Sequence, residues 1–352
     1  SLCLYTVMAK QRQAWLDYVR FFSIFQVIVF HTPPRLPLLD NAVVLNLRVP
    51  VFFCISGFLY SIDRWRGFKQ YALHRSKQIV VRYVTFFLIF YPLWLVVGRR
   101  LGDHPQVAAL KPLWEMLLGD PKVVLPTFWY LSCLYAMQLL YYWVERLVPR
   151  RWVMAATVLL SGCAFVAFEL QHSRIEYAWW RFWNVGNALR FMPFYALGNC
   201  FKRQLSALSF TSWRTVAGYA VLALLSVVGM AAVAPLDTSD NPLYMLCRIP
   251  AGLMVIPAYF GVAKWLAARL GHSKVVEFVT VSGTVYLGLQ NYFIDAAKLL
   301  LTRVCGAGYS VDHAWLKLVI AVAVMAAIYP VAWLVDRYTP WLIGKGKYFD
   351  KY

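Results

Sequence analysis

Residues 15–32 read WLDYVRFFSIFQVIVFHT, an apolar run that carries an aspartate, an arginine and a histidine. At about 20 residues such a run spans a bilayer as a helix. A charged side chain near the bilayer centre costs about 2.5 to 3.5 kcal/mol on insertion scales, so Asp17, Arg20 and His31 require a partner or a watery cavity. Arg20 and His31 stand eleven residues apart. At about 100° per residue that spacing puts them within about 20° of one helix face, roughly 16.5 Å apart along the axis. Asp17, three residues before Arg20, is placed to pair with it on that face. Two readings of the trio stay open here: a polar clasp between helices, or a functional group looking into a shared space.

Working outward, the chain passes Pro33 and Pro34 into VPVFFCISGFLYS at residues 49–61, where Ser56 and Gly57 form a small polar notch. Small residues of this kind let helices approach closely. Of the 352 residues 61% are hydrophobic and 14% charged, with a mean hydropathy of +0.56, which excludes an ordinary soluble domain. Ten apolar runs centre on residues 14–32, 43–61, 79–98, 127–145, 152–169, 184–201, 214–234, 243–266, 275–297 and 314–335. The fold expected is therefore all-α, a polytopic membrane helical bundle of about ten transmembrane helices forming one domain over residues 8–352. Residues 1–7, SLCLYTV, precede Met8 and are expected to be a non-native or wrongly assigned start.

Alternate loops carry 20 lysines and arginines on one side and nine on the other, so the positive-inside rule puts both termini in the cytoplasm. The net charge of +19 does not imply a nucleic-acid partner, because the basic residues are spread over short loops beside spans, facing anionic lipid. The densest of them, RWRGFKQYALHRSKQIVVR at residues 64–82, is read as the loop between spans two and three. The seven cysteines show no CxxC spacing, and neither a metal site nor a disulfide framework is expected. SRIEYAWWRFW at 173–183 reads as an interfacial aromatic belt, or as a stacking surface for a sugar. PQVAALKPLWEMLLG at 105–119 reads as an amphipathic surface helix or a plain connector.

Arginine, ten residues, then histidine in the first span, followed by Phe-Phe-x-x-Ser-Gly-Phe in the second, resembles the integral-membrane acyltransferase-3 family. The likeness continues through PTFWYLSCLYAM at 126–137, RFMPFYALGNCF at 190–201 and SGTVYLGLQNYF at 282–293. Gln290 departs from it, standing where relatives carry histidine. The resemblance implies transfer of an acetyl or other short acyl group from acetyl-CoA to a carbohydrate or lipid-linked glycan acceptor, in a bacterial inner membrane. It implies His31, Arg20 and Ser56 in the catalytic machinery and Arg75, Lys77 and Arg82 on the phosphates of coenzyme A. Asp17, Trp129, Tyr286 and Gln290 are expected beside the substrates, and a homo-oligomer is left open.

His31 suits the role of general base because an unperturbed imidazole titrates near neutrality. An acyl-serine route through Ser56 competes with direct transfer. Direct transfer is expected, because a Ser-Gly pair inside a close-packed span lacks the strained turn that exposes a nucleophilic serine. A proton-coupled transporter is the rival function, since an arginine and a histidine on a polar path also suit a permease. No inverted repeat or matched pair of broken helices is visible.

Overall fold

The computed structural model describes residues 13–34, 36, 48–99, 106–172, 179–208, 213–233, 242–305 and 314–345. Among these the chain is all helical, with no strand. A helix lies at each of the ten apolar runs: α1 (Ala14–His31), α2 (Val49–Leu59), α3 (Phe68–Gly98), α5 (Trp129–Leu147), α6 (Val153–His172), α7 (Val185–Cys200), α9 (Trp213–Val233), α10 (Pro242–Leu270), α12 (Gly283–Cys305) and α13 (Ala314–Tyr338). Three short helices join them, α4 (Lys111–Leu117), α8 (Lys202–Ala207) and α11 (Lys274–Val281). Segments within α3, α6, α9, α10 and α13 are long and apolar enough to cross a membrane.

The other helices are short or polar for reasons the packing supplies. In α2 only eleven residues are helical, about 16.5 Å of rise, and most of them are buried. This helix crosses α7 at two reciprocal glycines. A Cβ on Gly57 would collide with the backbone carbonyl of Tyr195, and one on Gly198 with that of Cys54. Close approach of this kind lets backbones rather than side chains make the contact.

The stretch expected as a loop at Arg64–Lys77 is helical from Phe68 onward and continues without a break into α3. Gly67 is extended and precedes the first turn. No proline follows before Pro92, so nothing in the sequence stops the helix. Two π-turns, Ser76–Val80 and Trp94–Gly98, interrupt its regularity. The run at 275–297 is broken instead, ending α11 at Val281 and restarting at Gly283. Within 105–119 the helix is only Lys111–Leu117, with Trp114 and Leu117 exposed and Met116 buried.

Of the aromatic stretch 173–183, the side chains described are those of residues 181–183. Phe182 is exposed, but Trp183 turns inward against Tyr83 and Tyr135, at ring distances of 5.6 and 5.5 Å. Asn184 beside it donates to the carbonyl of Gly119 at 2.7 Å, pulling the segment onto the bundle. Tyr177 lies outside the described residues.

The bundle has two apolar cores with α1 between them. Leu16, Tyr18 and Val19 pack with residues of α2, α5, α7 and α10. Ile24, Ile28 and Val29 pack with α3, α12 and α13. Both cores therefore fix the helix that carries Arg20 and His31.

Candidate active site

A small cleft opens where the end of α1 meets the starts of α2 and α5. His31 lines it from α1, Arg48 from the residue before α2, Thr127 from the turn leading into α5, Trp129 and Tyr130 from α5 itself, and Leu287 from α12. Val27, Val49 and Phe52 complete an apolar wall. The Thr127 hydroxyl donates to the Leu287 carbonyl at 2.5 Å, tying α12 to this mouth.

Phe30 organises the two basic groups. Its ring meets the His31 imidazole edge to face at 5.3 Å, and the Arg48 guanidinium lies over the same ring at 3.5 Å. A guanidinium over an aromatic face is attracted by the ring quadrupole, so Arg48 is held beside the imidazole rather than swinging into solvent.

Tyr130 leads from the cleft into the bundle. Its ring packs on Phe52 and Phe53 at 5.6 and 5.1 Å, while its hydroxyl is within interaction range of Ser56 and of the Arg20 charge. Tyr130 thus stands between the cleft that His31 lines and the deeper Ser56 and Arg20. The face shared by Arg20 and His31 follows from their spacing; the tyrosine that joins them does not. Ser56 donates to the carbonyl of Phe52 one turn earlier, at 2.8 Å, the ordinary back-bond of a serine within a helix.

The remaining expected residues are dispersed. Trp129 is in the cleft, its indole 6.4 Å from the Phe191 ring. Asp17 is buried near the other end of α1, accepting from the Thr280 hydroxyl of α11 at 3.2 Å. Tyr286 and Gln290 lie one helical turn apart on α12, both fully buried, beside Leu287 rather than in the cleft wall. The Tyr286 hydroxyl and both amide atoms of Gln290 find no hydrogen-bond partner among the described residues, an expensive condition for buried polar atoms.

Arg75, Lys77 and Arg82 all sit on α3. Tyr60 past the end of α2 and Tyr141 near the end of α5 pack at this pole, opposite the end at which both helices' first residues line the cleft. Arg75 donates to Gln78 at 2.9 Å and lies 5.3 Å from the Tyr71 ring. Lys77 is half-buried. The Arg82 guanidinium packs against Gly344, whose φ of +83° and lack of a side chain admit it. Arg64, Arg66 and Lys69 are exposed beside them. Burial first, and then the charge of Arg64, hold the nearby Lys202 ammonium below the usual lysine value.

Arg48, Tyr130 and Thr127 were not expected at the site. The signal for Arg48 was present, an arginine opening an apolar span where charge is functional by default. Tyr130 and Thr127 carry no such signal.

A family model described as an acyltransferase domain matches residues 13–337. No curated protein and no solved structure matches the chain.

Proposed function

The chain belongs to the acyltransferase-3 family, and from that premise we propose that it moves a short acyl group, acetyl foremost, from acyl-CoA to a sugar hydroxyl of a surface polysaccharide, glycolipid or glycan precursor. The observation that carries this reading is the cleft in which His31 stands beside Arg48, with Tyr130 leading inward to Ser56 and Arg20. In the reaction, His31 takes the hydroxyl proton as the acceptor oxygen attacks the thioester carbonyl. The carbon–sulfur bond then breaks, and the coenzyme A thiolate leaves with that proton. Arg48 faces the negative charge that develops on the carbonyl oxygen. Arg20, roughly 16.5 Å inward along α1, steadies the pantetheine arm.

Arg75, Lys77 and Arg82 hold the donor phosphates at the basic pole, which the positive-inside rule makes cytoplasmic. The two substrates then approach from opposite ends of the bundle, both termini are cytoplasmic, and the helices of all ten apolar runs lie within the membrane bundle. Trp129 offers a flat face to a sugar ring. Gln290, one turn from Leu287, offers amide atoms that have no hydrogen-bond partner among the described residues.

The test uses purified full-length protein, acetyl-CoA, and the methyl glycosides of glucose, galactose and N-acetylglucosamine as acceptor probes. Release of free coenzyme A thiol and acetylated glycoside is expected. His31→Ala should lower turnover by about 10²-fold to 10⁴-fold, the usual contribution of a general base, while acetyl-CoA binding by calorimetry persists. Absence of donor binding by the unaltered protein, or full activity in His31→Ala, overturns the reading.

A further inference from the structure

Lys317 is the fourth residue of α13 and is fully buried. Its ammonium donates to the carbonyl oxygens of Thr32 and Pro34, each at 2.8 Å. Thr32 is the residue after His31, where α1 ends, and Pro34 lies two residues further on. The last carbonyls of a helix lack intrahelical partners and carry the negative end of its dipole, so a cation there is favourable. The same end is fixed from within, since the Thr32 hydroxyl donates to the Ile28 carbonyl at 2.8 Å and its amide to the same oxygen at 3.0 Å.

We infer that Lys317 is a positioning residue for acyl transfer, gripping the chain just beyond His31 and so setting the height and rotation of the imidazole in the cleft. This rests on the acyl-transfer reading above. A buried ammonium is costly, and an apolar side chain of similar volume often packs as well or better. Scaffold alone therefore explains a lysine here poorly. Two of its hydrogen bonds fall just past the end of the helix that presents the base. Ile320, Ala321 and Val324 of α13 share an apolar core with Ile28 and Val29 of α1, so the two helices remain apposed without the lysine. What is lost with it is the tie between the end of α1 and α13, and a displacement of about 1 Å at a reacting group is enough to cost about 100-fold in rate.

The experiment compares Lys317→Met and Lys317→Arg with the unaltered full-length protein, using acetyl-CoA and whichever methyl glycoside gives the highest turnover. Thermal unfolding in detergent is followed in parallel. The expected result is a kcat about 100-fold lower in Lys317→Met, an unchanged KM for acetyl-CoA, and recovery of most of the rate in Lys317→Arg, which keeps the charge. A Lys317→Met protein with unchanged kcat overturns the inference, as does loss confined to KM. If Lys317→Met does not fold, the kcat of Lys317→Gln, which keeps a donor without the charge, decides on the same terms. Failure of all three variants to fold marks a scaffold residue and also overturns it. Absence of turnover by the unaltered protein defeats the acyl-transfer reading itself, whereas an active parent with an equally active Lys317→Met defeats only the role of Lys317.

Discussion

Helices α2 and α9 are both apolar, yet they do opposite things. In α9 (Trp213–Val233) the membrane-length segment is 11% buried, and Val221, Leu224, Leu225 and Val228 face outward. Among the described residues, nothing beyond the adjoining turns of α9 itself lies within 4 Å of the Cβ position of Gly218 or Gly229. In α2 the residues from Val49 to Ile55 are buried apart from a half-exposed Phe52, and Gly57 touches backbone. Hydropathy reports how much apolar surface a helix has, and both have plenty. Where that surface is spent is told by the small residues and by the isolated polar ones. The candidate site lies at closely packed helix ends, whereas α9 turns most of its apolar surface outward.

The sharpest way to break this contrast is to put the same methyl group on both helices. Gly57→Ala or Gly198→Ala drives a Cβ into a backbone carbonyl, which no rotamer change relieves. Overpacking typically costs 1–3 kcal/mol, and with backbone as the obstacle about 3 kcal/mol or more is expected, seen as loss of folded protein in detergent. Gly218→Ala meets open space, and helix propensity should make it neutral or stabilising by about 0.5–1 kcal/mol. Equal thermal stabilities for Gly57→Ala and Gly218→Ala would erase the distinction between the two helices.

A second contrast sets the basic pole against the cleft. Arg75 and Arg82 are engaged with Gln78 and with the Gly344 turn, whereas Arg64 and Arg66 are exposed. Charge-assisted hydrogen bonds contribute about 1.5–3 kcal/mol, and 1.4 kcal/mol is tenfold in affinity. The Arg75→Ala, Arg82→Ala double variant should therefore bind coenzyme A at least about tenfold more weakly. Arg64→Ala with Arg66→Ala should change less, since exposed charges are screened. Calorimetry with each folded variant decides; unchanged affinity in the first pair would make it a structural anchor of α3.

Much of this was legible in residue order, for identifiable reasons. An arginine and a histidine eleven apart in an apolar run declare their shared face through helical geometry alone. Gly57 declared a close approach, and the structure supplies its partner, Gly198. The apolar run that marks the third span begins only near residue 79, so hydropathy alone misses the basic first turns of α3, although nothing between Gly67 and Pro92 breaks a helix. Lys317 was visible as a charge inside the last span, but its partners lie 285 and 283 residues away in sequence, and no local pattern encodes such a distance. Trp183 was grouped with its aromatic neighbours by composition. Its positive φ of 50° and inward turn belong to tertiary packing.

Ser56 sets apart the two neighbours in one notch, and the smallest effect is expected there. Its hydroxyl donates to Phe52 within an unbroken helix, so its lone pairs face Tyr130 rather than a strained opening of the kind that exposes a nucleophile. His31 lines the cleft while Ser56 does not. With α2 placing Ser56 one turn beyond Phe52, its hydroxyl lies short of the cleft in which the donor carbonyl meets the acceptor. Ser56→Ala removes a back-bond that slightly destabilises a helix and a polar neighbour of Tyr130, so turnover should fall by less than about tenfold, below the contribution of a base. The companion measurement is mass spectrometry of unaltered protein incubated with acetyl-CoA and no acceptor. Direct transfer leaves its mass unchanged. A stoichiometric acetyl adduct on Ser56, together with inactivity of Ser56→Ala, would replace direct transfer with a two-step route in which the serine oxygen bonds to the acyl carbon and His31 serves each half-reaction.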